Sequence, residues 1–342
     1  MYRGALFDIT GGCNAQCPLC VTARETFGQR LQFIAVPQFA RALDRLLELD
    51  LLVPDTGIGL QNWGEPILHP DLDGIFGALS ERGLNCGLST NASKATRLTV
   101  STAHLNEIVF SVPGWSQASY DKVHRLRFER VVENMEATIA NLKDTGFAGI
   151  VSLNFHVYQF NIYGEVEAAQ AWCQTNGVTF RPYLAYINDY ERASAYLKDE
   201  LPPAVLKEIS QSILTHYVDE LVKSQPDDWQ CPQWRSLVLD HRCNVLLCCS
   251  LPYSHSECVI GSVFDLTRQE IIDGKRSAKE CDDCMSCGVA YWGHNVSNIN
   301  VPPPPAVVPL TDPTPAVDPT PIVAPASMRA SIRASLARLL KA

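Results

Sequence analysis

Three cysteines near the front of the chain have spacing that suits metal chemistry. Cys13, Cys17 and Cys20 read C-x3-C-x2-C, in a loop directly after a short apolar stretch. Thiolates three and four residues apart on one loop can converge on a single soft metal centre. Three thiolates around a [4Fe–4S] cube leave one iron without a protein ligand. An open metal position is where a substrate or cofactor binds. The same triple also suits a zinc knuckle that borrows a distant fourth ligand, or three buried thiols.

A second group lies far along the chain, at Cys231, Cys243, Cys248, Cys249, Cys258, Cys281, Cys284 and Cys287, with only Cys86 and Cys173 between the two groups. The total of 13 is odd, and the N-terminus MYRGALFDIT lacks the charged lead and apolar stretch of an export signal. Metal or redox chemistry therefore explains the cysteines better than a disulfide framework. Cys231 precedes a strand-like run at 236–240, polar turn residues follow, and a second apolar run ends in Cys248 and Cys249. That pattern predicts a β-hairpin bringing Cys231 and Cys248 together. A helix-like stretch at 266–274 then leads into Cys281-x2-Cys284-x2-Cys287, which has metal-ligand spacing. Two cysteines from the hairpin and two from C-x2-C close a tetrahedral site or hold a whole cube. A four-Cys zinc would stabilise the fold equally well but carry no electrons.

The elements that must position these residues follow from periodicity. Strands are expected at 4–10, 57–60, 85–89, 107–112, 149–157 and 178–183. Helices are expected at 37–49, 72–82, 129–144 and 163–176, with a short one near 94–102. Strands alternating with helices imply right-handed βαβ units and a parallel sheet. Six units are too few for a closed eight-stranded barrel, so the fold class is α/β with a partial (β/α)6 TIM-like barrel. Chemistry in such barrels collects at the C-terminal ends of the strands. The expected organisation is a barrel over 1–200, a connecting helix within 201–228, a small Cys-rich α+β unit over 229–295, a Pro-rich linker over 296–325 and a basic amphipathic helix over 326–342. The linker expectation rests on ten of the 22 prolines lying in 301–325. In the last segment Met328, Ile332, Leu336 and Leu340 fall at i, i+4 spacing beside Arg329, Arg333, Arg338 and Lys341, a pattern suited to docking a partner or an anionic surface.

Composition limits the partners. With 342 residues and 46% hydrophobic content the chain can bury a sizeable core. The formal charge of −9 argues against a phosphate-backbone binder, so no nucleic-acid partner is expected. No run of 18 apolar residues exists, so no transmembrane helix is expected and the expected location is cytoplasmic.

Cys13-x3-Cys17-x2-Cys20 at the end of the first strand of a six-unit βα chain resembles the motif of the radical S-adenosylmethionine (radical SAM) enzymes. The resemblance implies a [4Fe–4S] cluster on the three thiolates and S-adenosylmethionine chelating the open iron. It also implies a 5′-deoxyadenosyl radical that abstracts hydrogen from a substrate. Gly64-Glu65-Pro66 after the second strand resembles the family's Gly-Gly-Glu-Pro motif, which meets the methionine amino group; Trp63 replaces its first Gly. Ser89-Thr90-Asn91 resembles the Thr-Asn segment that ends the family's third strand, and by the same likeness Ser111 and Arg125 fall where relatives meet the cofactor's ribose or carboxylate. Leu19 holds a position that is often aromatic in the family and packs on adenine.

The rear segment resembles the SPASM and twitch extensions of these enzymes, most nearly the single-cluster twitch form, which implies a second, auxiliary [4Fe–4S] cluster. Cys231, Cys248, Cys281, Cys284 and Cys287 are its candidate ligands. Where the family has a turn Gly, this chain has Cys243 or Asn244; Cys248 is the ligand if Cys243 takes that place, and Cys249 if Asn244 does. The clusters imply an oxygen-sensitive protein and a reductant such as a flavodoxin or ferredoxin.

Three functions are weighed. The first is dehydrogenation or epimerisation of a small polar molecule such as a sugar, aminocyclitol or related polyol. Its motive is a first strand within ten residues of Met1, which leads to the expectation of no N-terminal peptide-recognition domain. Epimerisation needs a thiol that returns hydrogen, for which Cys249 and Cys258, and also Cys243 and Cys287, are candidates. The second is maturation of a ribosomal peptide by oxidation or cross-linking. The third is a non-catalytic iron–sulfur or zinc scaffold. Trp63, Tyr183, Tyr186 and Trp292 are candidate pocket aromatics. Asn154 and His156 share one face of the fifth strand and are candidates to orient substrate hydroxyls.

Overall fold

The computed structural model describes residues 4–26, 30–52, 57–251, 256–276 and 278–297. The expected basic helix, and all of the expected linker past residue 297, lie outside them. Six strands, β1 (Gly4–Phe7), β2 (Gly57–Gly59), β3 (Cys86–Thr90), β4 (Leu105–Val112), β5 (Ile150–Val157) and β6 (Thr179–Leu184), pair in parallel, each with the next in sequence. Helices Val36–Glu48, Leu72–Ser80, Phe128–Asp144 and Glu165–Asn176 return the chain between strands. The architecture is α/β, with a mostly parallel sheet in a partial (β/α)6 TIM-like arrangement.

The alternation of strand side chains sorts core from site. Ile108, Phe110 and Val112 on β4, and Leu153, Phe155 and Val157 on β5, are fully buried in the core. Fully burying each of these phenylalanines contributes roughly 1.5–3 kcal/mol. The intervening Ser111 and His156 face the other way, into the barrel interior.

The expected hairpin forms, and the sheet is continuous through it. β7 (Ser236–Leu239) lies parallel to β1 in the register Gly4↔Ser236 to Phe7↔Leu239. β8 (Asn244–Leu246) pairs antiparallel with β7, and β9 (Val259–Ser262) with β8. The order is β6-β5-β4-β3-β2-β1-β7-β8-β9. The strand β7 thus covers the edge that β1 would otherwise leave unpaired.

Three local expectations are corrected. No helix forms near 94–102. The segment is rich in Thr, and side chains of the Phe128–Asp144 helix take its N–H groups: Thr96 N donates to Thr138 Oγ1 at 2.9 Å and Leu98 N to Asn141 Oδ1 at 2.7 Å. The single connecting helix is two helices, Pro203–Ser212 and Thr215–Lys223. They break at the extended, fully buried Ile213, where Gln159 Nε2 donates to the Ser210 and Ile213 carbonyls. An unforeseen helix, Tyr190–Leu197, follows β6, capped by Asp189 accepting from Arg192 N.

Candidate active site

The loops after the parallel strands enclose a cavity of ≈ 280 Å³. Cys13, Cys17 and Cys20 all line it. Their loop is tied down on several sides. Cys20 N donates to Cys17 O at 3.1 Å, Gln16 N to His124 O at 3.1 Å, and Arg192 of the Tyr190–Leu197 helix donates to Pro18 O at 3.0 Å. N–H groups also point at the sulfurs. Ala15 N lies 3.4 Å and Asn91 Nδ2 3.6 Å from Cys13 Sγ, and Asn188 Nδ2 lies 4.0 Å from Cys20 Sγ.

Burial pushes the Cys13 thiol up to about 12, Cys17 well above its ordinary value, and Cys20 upward. Neighbouring thiols and Glu65 add to the rise at Cys13 and Cys17. Three desolvated sulfurs with N–H donors aimed at two of them, and no Lys or Arg among the residues lining the cavity, suit thiolates whose compensating cation is a bound metal. Among the described residues, no three Cys, His, Asp or Glu side chains converge on one point as a single ion requires. A cube binds each thiolate to a different iron, so a spread donor set fits it.

The Gly64-Glu65-Pro66 loop packs against the first loop so tightly that a Cβ on Gly64 would collide with the Thr10 carbonyl. Glu65 N donates to Gly12 O at 2.9 Å. The Glu65 carboxylate accepts from Asn91 N at 2.8 Å and from Ile67 N at 3.3 Å, and desolvation still raises it to about 7. Gly64 and Glu65 line the cavity; Pro66 is buried behind them, starting a short 3-10 turn. Ser89 and Asn91 line it too, Ser89 N donating to Gln61 Oε1 at 3.1 Å and Asn91 Nδ2 to Asn14 Oδ1 at 3.0 Å. Ser111 Oγ and His156 Nε2 share a 2.9 Å hydrogen bond on the wall. Desolvation pushes His156 down to about 4, so its imidazole is neutral at pH 7.

Arg125 is not brought to the cavity. It bonds Gln16 Oε1 at 3.2 Å on the outer side of the Cys loop, from a left-handed backbone position at φ 58. Of the aromatic candidates, Tyr183 and Tyr186 line the cavity, whereas Trp63 and Trp292 are packed in the protein. Leu19 lines it, and Asn154 is not among its lining residues.

Several working residues escaped the sequence reading. Asp8, fully buried after β1, accepts from Asn62 N at 2.9 Å and Gly64 N at 3.0 Å, and from Trp63 N. A carboxylate inside an apolar run was the only signal. Gln61 and Asn62 line the cavity beside it. His124 lines the wall next to His156, and its buried Nδ1 has no hydrogen-bond partner among the described residues. Desolvation first, then His156, pushes it down to about 3. No spacing rule marks that residue.

At the rear, Cys243 holds the turn at φ 68 between β7 and β8. Cys281, Cys284 and Cys287 lie on the helix Lys279–Cys287. Burial raises Cys231 to about 11, and Cys248 and Cys281 add to it; the raised Cys284 is acted on by Cys248, Cys287, Cys231 and Cys281. Cys231, Cys248, Cys281 and Cys284 thus belong to one electrostatically linked group, which Cys287 joins through Cys284 and Cys249 through Cys248 and Cys231. Cys287 turns toward Ser194, its sulfur 3.9 Å from the hydroxyl. N–H donors surround the group: Gln233 N at Cys231, Ser250 N and Leu251 N at Cys248, and the Trp234 side chain at Cys281. Cys258 is not brought to the cavity; it is buried among Leu247 and Leu251. Cys249 sits between the two sites. Its thiol acts on the Tyr186 phenol, and its carbonyl lies 3.3 Å from the Asn62 amide nitrogen when that amide is oriented to accept from Trp63 Nε1.

No protein-family model matches the sequence, and no curated protein matches it. Solved structures do match. Native anSMEcpe with bound AdoMet aligns at TM-score 0.51 and 12% identity over 84% of this chain and 88% of that one. SuiB of Streptococcus suis bound to precursor peptide SuiA aligns at TM-score 0.53 and 14% identity over 85% of this chain and 70% of that one. SuiB bound to S-adenosylmethionine gives the same TM-score of 0.53 at 14% identity, over 85% of this chain and 72% of that one. These neighbours are radical SAM enzymes, and the chain has the radical SAM fold.

Proposed function

We propose that this chain is a radical SAM enzyme that abstracts hydrogen from a small polar substrate such as a sugar, aminocyclitol or related polyol, giving dehydrogenation or epimerisation. The observation that carries this reading is the cavity wall. Three thiols face a wall of Gln61, Asn62, Ser89, Ser111, His124, His156 and tyrosines, with no Lys or Arg among the described residues that line it to pair a phosphate or carboxylate substrate. Hydroxyl, amide and neutral imidazole groups match a ligand rich in hydroxyls.

Cys13, Cys17 and Cys20 would hold a [4Fe–4S] cluster, and Gly64, Glu65, Ser89, Asn91 and Ser111 would hold S-adenosylmethionine. When bound, the pair supplies a hydrogen-abstracting radical. The chain's own residues do the rest. Asp8 fixes the Gly64 loop, Asn91 links the Glu65 carboxylate to the Cys13 loop, and His156, held by its hydrogen bond to Ser111, orients a substrate hydroxyl. Neutral His124 and His156 accept a hydrogen bond. Cys231, Cys248, Cys281 and Cys284 would hold the auxiliary [4Fe–4S] cluster. Cys243 in the turn favours Cys248 as ligand, which leaves Cys249, next to cavity residues Asn62 and Tyr186, as the thiol placed to return hydrogen in an epimerisation. A flavodoxin or ferredoxin would supply electrons, in the cytoplasm.

The test is anaerobic reconstitution with dithionite, S-adenosylmethionine and a panel of sugars and aminocyclitols. Substrate-stimulated 5′-deoxyadenosine, with deuterium transferred from a labelled substrate, is the expected result. Solvent deuterium in the product that disappears in Cys249→Ala means epimerisation; loss of two hydrogens from the substrate means dehydrogenation. Stimulation by short peptides alone overturns this reading in favour of peptide maturation, which the likeness to SuiB, a structure with precursor peptide SuiA, supports. Failure to bind S-adenosylmethionine leaves the scaffold reading.

A further inference from the structure

Lys275 is the one lysine among the buried polar residues of the described chain, with 1% of its surface exposed. It sits at the end of the helix Arg268–Arg276 and turns inward. Its Nζ donates to Leu247 O at 2.7 Å, directly before Cys248, and lies 3.4 Å from Leu246 O. The thiols of Cys248, Cys249, Cys281 and Cys231 all act on its charge. An ammonium taken out of water costs several kcal/mol unless anions repay it. Three of these sulfurs, those of the proposed ligands Cys231, Cys248 and Cys281, do so once they are thiolates.

We infer that Lys275 is a fixed internal cation for the rear cluster, positioned to stabilise its reduced state and so to raise its midpoint potential. This rests on the proposed assignment of Cys231, Cys248, Cys281 and Cys284 as cluster ligands. A cube with four thiolates carries a net negative charge, and one-electron reduction adds another without making or breaking a bond. A buried ammonium nearby favours the more negative state, and more so where water is excluded. The donors around the site, Gln233 N, Ser250 N, Leu251 N and the Trp234 side chain, act in the same direction by withdrawing charge from the sulfurs. A rear cluster so tuned is an electron acceptor, which would direct the proposed chemistry toward dehydrogenation.

The experiment uses full-length protein reconstituted anaerobically, with Cys13, Cys17 and Cys20 changed to Ala so that only the rear site holds a cluster. Iron, sulfide and zinc are counted, and the cluster is titrated with dithionite and followed by electron paramagnetic resonance. Lys275→Met is expected to keep its iron and to shift the reduced-to-oxidised ratio at fixed potential at least tenfold toward oxidised, about 59 mV for one electron. Lys275→Arg keeps the cation and is expected to stay within threefold of the parent. A parent cluster whose potential is unchanged in Lys275→Met overturns the inference and leaves the cluster assignment standing. If Lys275→Met does not fold, an arginine variant shifted tenfold toward oxidised overturns it, and one held within threefold supports it. Zinc in place of iron, or no metal in the parent, overturns the assignment and the inference together.

Discussion

The Asp8 carboxylate accepts the backbone N–H of Gly64 at 3.0 Å, joining the end of the first strand to the loop after the second. That contact sets the distance between the Cys loop and the Glu65 carboxylate. It also buries an acid. Desolvation raises Asp8 to about 7, against the lowering effect of the Trp63, Gly64 and Asn62 N–H groups, with Asp240 adding to the rise.

The raised Asp8 value predicts a pH effect with a definite sign. The folded state holds the proton between pH 3.8 and about 7, where the unfolded chain has lost it. The native state then binds more protons, so stability is full below the lower value and falls as pH rises through the window. Relative to Asp8→Asn, the wild type should lose up to about 1.4 kcal/mol per pH unit there. Urea melts of both proteins at pH 5, 6 and 7 check this; a constant difference between them refutes it.

Gly64 has no room for a side chain, because the first atom would meet the Thr10 carbonyl and main chain cannot yield cheaply. Gly64→Ala should weaken S-adenosylmethionine binding at least tenfold, about 1.4 kcal/mol, while rear-site iron is retained. Equilibrium dialysis of the reconstituted protein gives the affinity. Unchanged binding would mean that the loop plays no part in holding the cofactor.

Gly11 presents the same constraint with a movable partner. A Cβ there would strike the His241 ring, which reaches across from the β7–β8 turn. Gly11→Ala should cost about 1–3 kcal/mol by overpacking. The pair Gly11→Ala with His241→Ala should recover more than the single changes predict. A double-mutant cycle on thermal unfolding measures the coupling, and purely additive effects would show that the ring does not brace the front loop.

Changing Cys13, Cys17 and Cys20 together to Ala should lower iron from about eight to about four per chain, with matching sulfide. Loss of all iron would mean that the rear cysteines hold none on their own. Removal of 301–342 should leave both clusters in place. Loss of iron from that truncated chain would show that the tail supports the sites and is no mere appendage.

Much of the fold was legible because its signals are local. Alternation along β4 and β5, the 3–4 spacing of the Val36–Glu48 helix and the cysteine intervals each need only a dozen neighbouring residues. The helix expected near 94–102 failed because Thr138 and Asn141, on a helix more than 40 residues away, take the N–H groups that a helix would have used. Tyr190–Leu197 went unseen because its hydrophobic face is short, although the Asp189 cap was there to read.

The sequence by itself determined the donor types, the two cysteine groups, the βα order and the Gly-Glu-Pro turn. These depend on residue identity and on short spacing. Only the tertiary structure decided that Arg125 lies outside the cavity, that Cys258 is buried beside leucines, that Cys243 takes the left-handed turn, that His124 lines the cavity, and that Asp8 and Lys275 are buried. The reason is physical. Burial, partner geometry and the pairing of β7 with β1 arise from contacts between segments more than two hundred residues apart, and no local pattern encodes which of those segments will meet.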